Sequence, residues 1–189
     1  NKAPMVSGKP KSEEQVYDEE KGGPGGDIYV KGALVLHTLR GLIGDDAFFR
    51  AVRLLVYGTE QPRPGQFQPR YGSTTEFMAI VNKVTGGNYD WFFQAYLYQA
   101  ALPELSAMRD GDTLRLLWKT PADIAFPMPV EVRIGKDIHT VSMSLGFGEL
   151  PLPAGATYTL DPHSRVLRRA EHIETFQKFR EEQAKHKKS

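Results

Sequence analysis

Cysteine is absent from the 189 residues, which excludes disulfides, thiolate metal ligands and a cysteine nucleophile together. That absence suits the cytoplasm and an envelope compartment equally, so it says nothing of location. No apolar run approaches the ~20 residues that a membrane-spanning helix needs. An excess of one charge is missing too. The 24 basic and 23 acidic side chains leave a formal net charge of +1, and the basic ones do not gather with aromatics outside a short tail. Such a chain has no strong field with which to hold nucleic acid. No G-x-S-x-G elbow is present, which argues against a serine hydrolase of that type. No signal-like apolar segment opens the chain either, and the start Asn1-Lys2-Ala3-Pro4 reads as a piece cut from something longer.

What is present suffices for a real core. Hydrophobic residues make up 40% of the chain, and the length fits one domain or two small ones. Residues 1–27 are polar and run into Gly22-Gly23-Pro24-Gly25-Gly26-Asp27, a composition that reads as loop or linker. From Ile28 the character changes. Tyr29, Gly32, Ala33, Leu36, Leu39 and Ile43 recur at helical spacing, and Leu34, Val35 and Leu42 widen the apolar face. A helix apolar over most of its circumference is expected to lie buried between neighbours. Gly44 supplies its stop, and Asp45 is a candidate N-cap for a second helix carrying Phe48, Val52, Leu55 and Val56.

Two more helices follow a Pro- and Gly-rich loop over 59–72. Ser73-Thr74-Thr75-Glu76 matches a reciprocal capping box before Phe77, Ile80, Val81 and Val84. Asn88 is the candidate cap of an aromatic helix through Trp91, Phe92, Ala95 and Tyr96 that must end before Pro103. Residues 28–102 therefore read as an α-helical subdomain.

Beyond it the period becomes two. Leu114, Leu116 and Trp118 alternate with polar residues, as do Val130, Val132 and Ile134, and then Val141, Met143 and Leu145. Asp110-Gly111, Gly135-Lys136-Asp137 and Ala154-Gly155 punctuate them, and Tyr158–Leu160 with Val166–Leu167 would complete the set. Residues 103–169 are thus expected to form a small antiparallel, Ig-like β-sandwich. Residues 170–189 would be a C-terminal helix and tail, docking Ile173, Phe176 and Phe179 as a stripe. The fold class is α+β, helices first.

The stretch Gly26-Asp27-Ile28-Tyr29-Val30-Lys31-Gly32-Ala33-Leu34 through Arg40, with Ile43-Gly44-Asp45 and Phe48, resembles the aminopeptidase N family of zinc metallopeptidases. There a Tyr-x-Lys-Gly sequence opens a buried helix behind the zinc site. Further landmarks stand in the family's order: Ser73-Thr74-Thr75-Glu76-Phe77, Trp91-Phe92-Phe93 through Leu102-Pro103, Phe126-Pro127-Met128-Pro129-Val130-Glu131-Val132, and Leu160-Asp161-Pro162. The resemblance covers about Gly26 to Leu167. It implies that Tyr29 donates its hydroxyl to the oxyanion of a tetrahedral intermediate. A phenol titrates near ~10 in water and so remains a donor at neutral pH.

The resemblance also implies zinc, held by two His of H-E-x-x-H and a downstream Glu, with the motif's Glu as general base. This sequence departs from that pattern. Its histidines are His37, His139, His163, His172 and His186, none begins H-E-x-x-H, and the substrate-amine motif G-x-M-E-N is missing. The expectation is a C-terminal fragment of a zinc aminopeptidase, inactive alone, with no metal ligands of its own. Its partners would be the upstream catalytic portion and, in the intact enzyme, a peptide substrate. The alternative is a non-enzymatic interaction module derived from the same family. His37 reads as a satisfied core histidine, Lys31 as a solvated or helix-pairing lysine, and the Gly22–Gly26 run as a plain loop or a hinge for Tyr29. An apolar first helix without its neighbour would make the isolated chain self-associate. The resemblance leans to a bacterial periplasmic or secreted location.

Overall fold

The computed structural model describes residues 5–6, 27–66, 68 and 70–186; the Gly22–Gly26 run lies outside them. Helix α1 spans Asp27–Ile43. Its periodicity splits the cylinder into two halves. At 3.6 residues per turn, Lys31, Val35, Thr38 and Leu39 share one half, and all four are buried. The other half carries Tyr29, Val30, Leu34 and Leu36, all exposed. The helix is therefore apolar on both sides, as its sequence requires, but covered on one only. This corrects the expectation of burial between neighbours.

Helix α2, Asp45–Tyr57, begins after Gly44, which serves as N-cap with φ 81. Asp45 is not the cap. Its carboxylate instead accepts two hydrogen bonds from Arg40, at 2.8 and 2.7 Å. Helix α3, Thr74–Thr85, is capped by Ser73, whose Oγ accepts from the Glu76 N–H at 3.1 Å. The expected return bond is replaced: the Glu76 carboxylate pairs with Arg70. Helix α4, Asp90–Tyr96, has Tyr89 at its N-cap, and Asn88 forms a turn one step earlier by accepting from the Asp90 N–H.

The strands are β1 Glu104–Asp110, β2 Thr113–Lys119, β3 Val130–Ile134, β4 Asp137–Val141, β5 Phe147–Pro151 and β6 Tyr158–Leu160. They form two antiparallel sheets, ordered β1-β2-β5 and β4-β3-β6. Asp110-Gly111 and Gly135-Lys136-Asp137 make the hairpin turns, with Gly111 and Gly135 at positive φ. Alternation places Leu114, Leu116 and Trp118 of β2 and Val130 and Val132 of β3 in one core.

Two strand expectations fail. Leu145 does not extend the Val141-Met143 alternation. It turns outward at φ 50 and is 89% exposed, because the chain reverses over Leu145-Gly146 so that the Phe147 N–H can reach the Ser144 carbonyl. Val166–Leu167 is a loop rather than a strand, held by side chains described below.

Helices and sheets share a core. The rings of Trp91 and Phe126 lie 5.2 Å apart, as do those of Trp118 and Phe126, and Tyr96 stands 5.7 Å from Phe126. Edge-on aromatic contacts of this kind add ~0.5–1.5 kcal/mol each beyond buried area. The buried Trp118 indole N–H donates to the Met128 carbonyl at 2.8 Å.

Helix α5, Glu171–His186, forms as expected, but Phe176 and Phe179 of its stripe do not dock, being 59% and 55% exposed, while the Ile173 side chain lies outside the described residues. Arg169 ties down its start, bonding Glu174 at 2.9 and 3.0 Å and Glu104 at 3.3 Å. The hydrogen-bonded Arg169 guanidinium holds the Glu174 carboxyl below the usual carboxylate range. A depressed folded-state pKa gives stability that is present above the unfolded value of ~4.3 and lost as pH falls through the folded one. The amide NMR shifts of residues 170–175 should therefore keep native values near pH ~4.3 and lose them only on further acidification. In Arg169→Gln the change should begin at higher pH; an unmoved midpoint would show that the pair does not hold the helix.

Candidate functional site

Tyr29 stands in the first turn of α1, and its side chain is 64% exposed on the uncovered half. Lys31, two residues on, lies about 200° around the helix by the 3.6-residue repeat. It is only 4% exposed, and its ammonium donates to the carbonyls of Gln99 at 2.8 Å and Ala100 at 3.3 Å. Neither reading of Lys31 fits: it is not solvated, and its acceptors lie in the loop after α4 rather than on a helix. A buried cation is tolerated where such acceptors replace water. The Tyr-x-Lys spacing thus anchors one side of the turn and frees the other. Gly32 faces Met5, whose Cε would lie 3.4 Å from an added Cβ.

A second anchor sits two turns later. The Thr38 hydroxyl donates to the Leu34 carbonyl at 2.9 Å and accepts from the Leu167 N–H at 2.9 Å. The Tyr96 hydroxyl donates to the Leu167 carbonyl at 2.6 Å, and burial pushes that phenol far above its ordinary value, keeping it a donor. Both polar groups of Leu167 are thereby satisfied. The loop after β6 is tied to α1 and α4 together. Asp161 shapes the loop, its carboxylate accepting from the N–H groups of Arg165 at 2.8 Å and Val166 at 3.0 Å.

His37 is exposed and is not a core histidine. It borders a groove with Leu34, Ser164 and Arg168. Among the described residues no three His, Asp or Glu side chains come together as metal ligands, so the described residues offer no site that fits zinc. No described helix is long and apolar enough to cross a membrane. The roles of Lys31 and Thr38 were not drawn from the sequence. A helical wheel could have found Lys31, since it places that residue opposite Tyr29; nothing in the sequence signals the Leu167 partner of Thr38.

No family model matches the sequence, and no curated protein matches it. Among solved structures, the chain is similar to "Legionella pneumophila aminopeptidase A in complex with aspartic acid", with a TM-score of 0.50 and 16% identity. The likeness covers 71% of this chain and 16% of that one. It shows a shared fold.

The uncovered half of α1 has a consequence for the isolated chain. Exposed Tyr29, Val30, Leu34 and Leu36 leave apolar surface on this helix of the kind that drives association. Light scattering should find concentration-dependent self-association with binding of a hydrophobic dye, and the double substitution Leu34→Glu, Leu36→Glu should abolish both. A monomer without dye binding would show that this face needs no cover.

Proposed function

We propose that this chain is the C-terminal part of a zinc-dependent aminopeptidase that cleaves N-terminal peptide bonds, and that Tyr29 is its oxyanion donor. The observation that carries the reading is the outward placement of Tyr29 on the uncovered half of a helix whose other half is anchored by Lys31. A donor of this type must face the reacting carbonyl, and one buried in the core could not serve. The solved structure of similar fold is named an aminopeptidase and was obtained with aspartic acid. The apolar stripe beside Tyr29 suits contact with the remaining part of the enzyme, which in this reading holds the zinc and the general base. The chain itself contributes the donor, a wall of the cleft and the sandwich.

In this reading the Tyr29 O–H donates to the substrate oxygen as negative charge develops on it. Lys31 and Thr38 are positioning residues that fix the helix carrying it. The test is to join this chain to a preceding portion bearing H-E-x-x-H and a later Glu. Release of N-terminal residues from peptides, abolished by a chelator, is expected. A correctly folded but inactive joined protein would favour the interaction module instead.

A further inference from the structure

Where the second half of α1 meets the loop after β6, a groove of about 240 Å³ opens. Leu34, Val166 and Leu167 give it an apolar lining, and His37, Ser164 and Arg168 give it a polar one. We propose that this groove binds a carboxylate, and that in the intact enzyme it receives the C-terminal carboxylate of a short peptide.

Charge accounting supports an anion. The neighbouring arginines are engaged: Arg40 with Asp45 at 2.7 Å, Arg165 with Glu131 at 3.0 Å, and Arg169 with Glu174 at 2.9 Å. Arg168 has no ion pair among the described residues. The acid lining the groove, Asp161, is buried, and both its oxygens already accept backbone N–H groups. Arg168 also borders the adjoining cleft, where Glu104 is paired with Arg169 at 3.3 Å and Glu171 faces the solvent side, so within the groove itself the uncommitted charge is cationic. A guanidinium matches a carboxylate with two parallel N–H···O bonds. The Ser164 hydroxyl and a His37 ring nitrogen stand ready as further donors. One guanidinium with an apolar lining suits a monoanion that carries an apolar body better than it suits inorganic phosphate.

Position sets the length. His37 follows Tyr29 by eight residues, about 12 Å along the helix axis at 1.5 Å per residue. An extended peptide covers that span in about four residues at ~3.3–3.6 Å each. This length rests on the aminopeptidase reading; the anion site itself does not.

The test uses the 189-residue chain with tetra-alanine, its C-terminal amide and inorganic phosphate as probes, followed by backbone amide NMR shifts. The free acid should shift residues 34–38 and 164–168 saturably and bind at least about five-fold tighter than the amide. Arg168→Gln should bring acid and amide within about two-fold while the remaining spectrum stays native, and Arg168→Lys should restore part of the preference. Equal binding of acid and amide, a preference that survives Arg168→Gln, or phosphate binding as tightly as the acid would each overturn the proposal. None of these readouts requires hydrolysis. An inactive joined enzyme would therefore refute the peptidase reading and leave the groove standing. An active enzyme without the acid preference would do the reverse.

Discussion

Tyr29→Phe in the enzyme formed by joining this chain to its zinc-binding portion is expected to lower kcat about 10²–10³-fold, equivalent to ~2.7–4 kcal/mol, with KM little changed. The substitution removes one oxygen from a side chain that is 64% exposed. No packing is lost, so stability should stay within ~0.5 kcal/mol of the parent. The effect falls on kcat because the bond strengthens as negative charge develops on the carbonyl oxygen, whereas a neutral ground-state carbonyl accepts only weakly. Steady-state kinetics on one peptide series decides it. An unchanged kcat would remove Tyr29 from the chemistry, and a rise in KM alone would make it a binding residue.

The largest effect on stability is expected at Gly148, in β5 opposite Leu116. A Cβ there would lie 2.6 Å from the Ser142 carbonyl oxygen, 2.6 Å from Met143 Sδ and 2.8 Å from Val141 Cγ1. The methionine can swing away, but the carbonyl is main chain, just past the end of β4. The closure of one sheet against the other depends on that approach. Gly148→Ala should therefore cost ~3 kcal/mol, at the upper end for overpacking. Urea denaturation would measure it. Gly41→Ala is the contrast: it meets only Arg165 side-chain atoms, at 3.6 Å and beyond. Within a helix that change should be neutral or stabilising by up to ~1 kcal/mol. Equal losses at both positions would show that glycine flexibility, not space, is what matters at Gly148.

Much of the fold was legible because it depends on local pattern. The 3.6-residue repeat located α1 to α4, and Ser73 caps α3 as its spacing from Glu76 requires. The period of two located the principal strands, and Gly111 and Gly135 mark their turns. Errors arose where a long-range partner overrides local preference. Asp45 looks like a cap until Arg40 captures it. Leu145 fits an alternation until the chain must turn for β5 to pair with β2. Val166–Leu167 has strand character, but Thr38 and Tyr96 take both polar groups of Leu167. In α5, Phe176 and Phe179 have the spacing of a docking stripe, yet both remain exposed.

The sequence by itself determined that α1 is helical and apolar over most of its circumference, that Tyr29 stands near its start two residues before a lysine, and that H-E-x-x-H is missing from these residues. Those are matters of composition and spacing, which need no knowledge of neighbours. Only the tertiary structure decided which half of the helix is covered. That choice follows from where the Gln99 and Ala100 carbonyls and the Leu167 backbone come to rest, because a buried ammonium and a buried hydroxyl must find partners. Once Lys31 and Thr38 are satisfied, the rotation of α1 is fixed, and Tyr29 faces outward as a result.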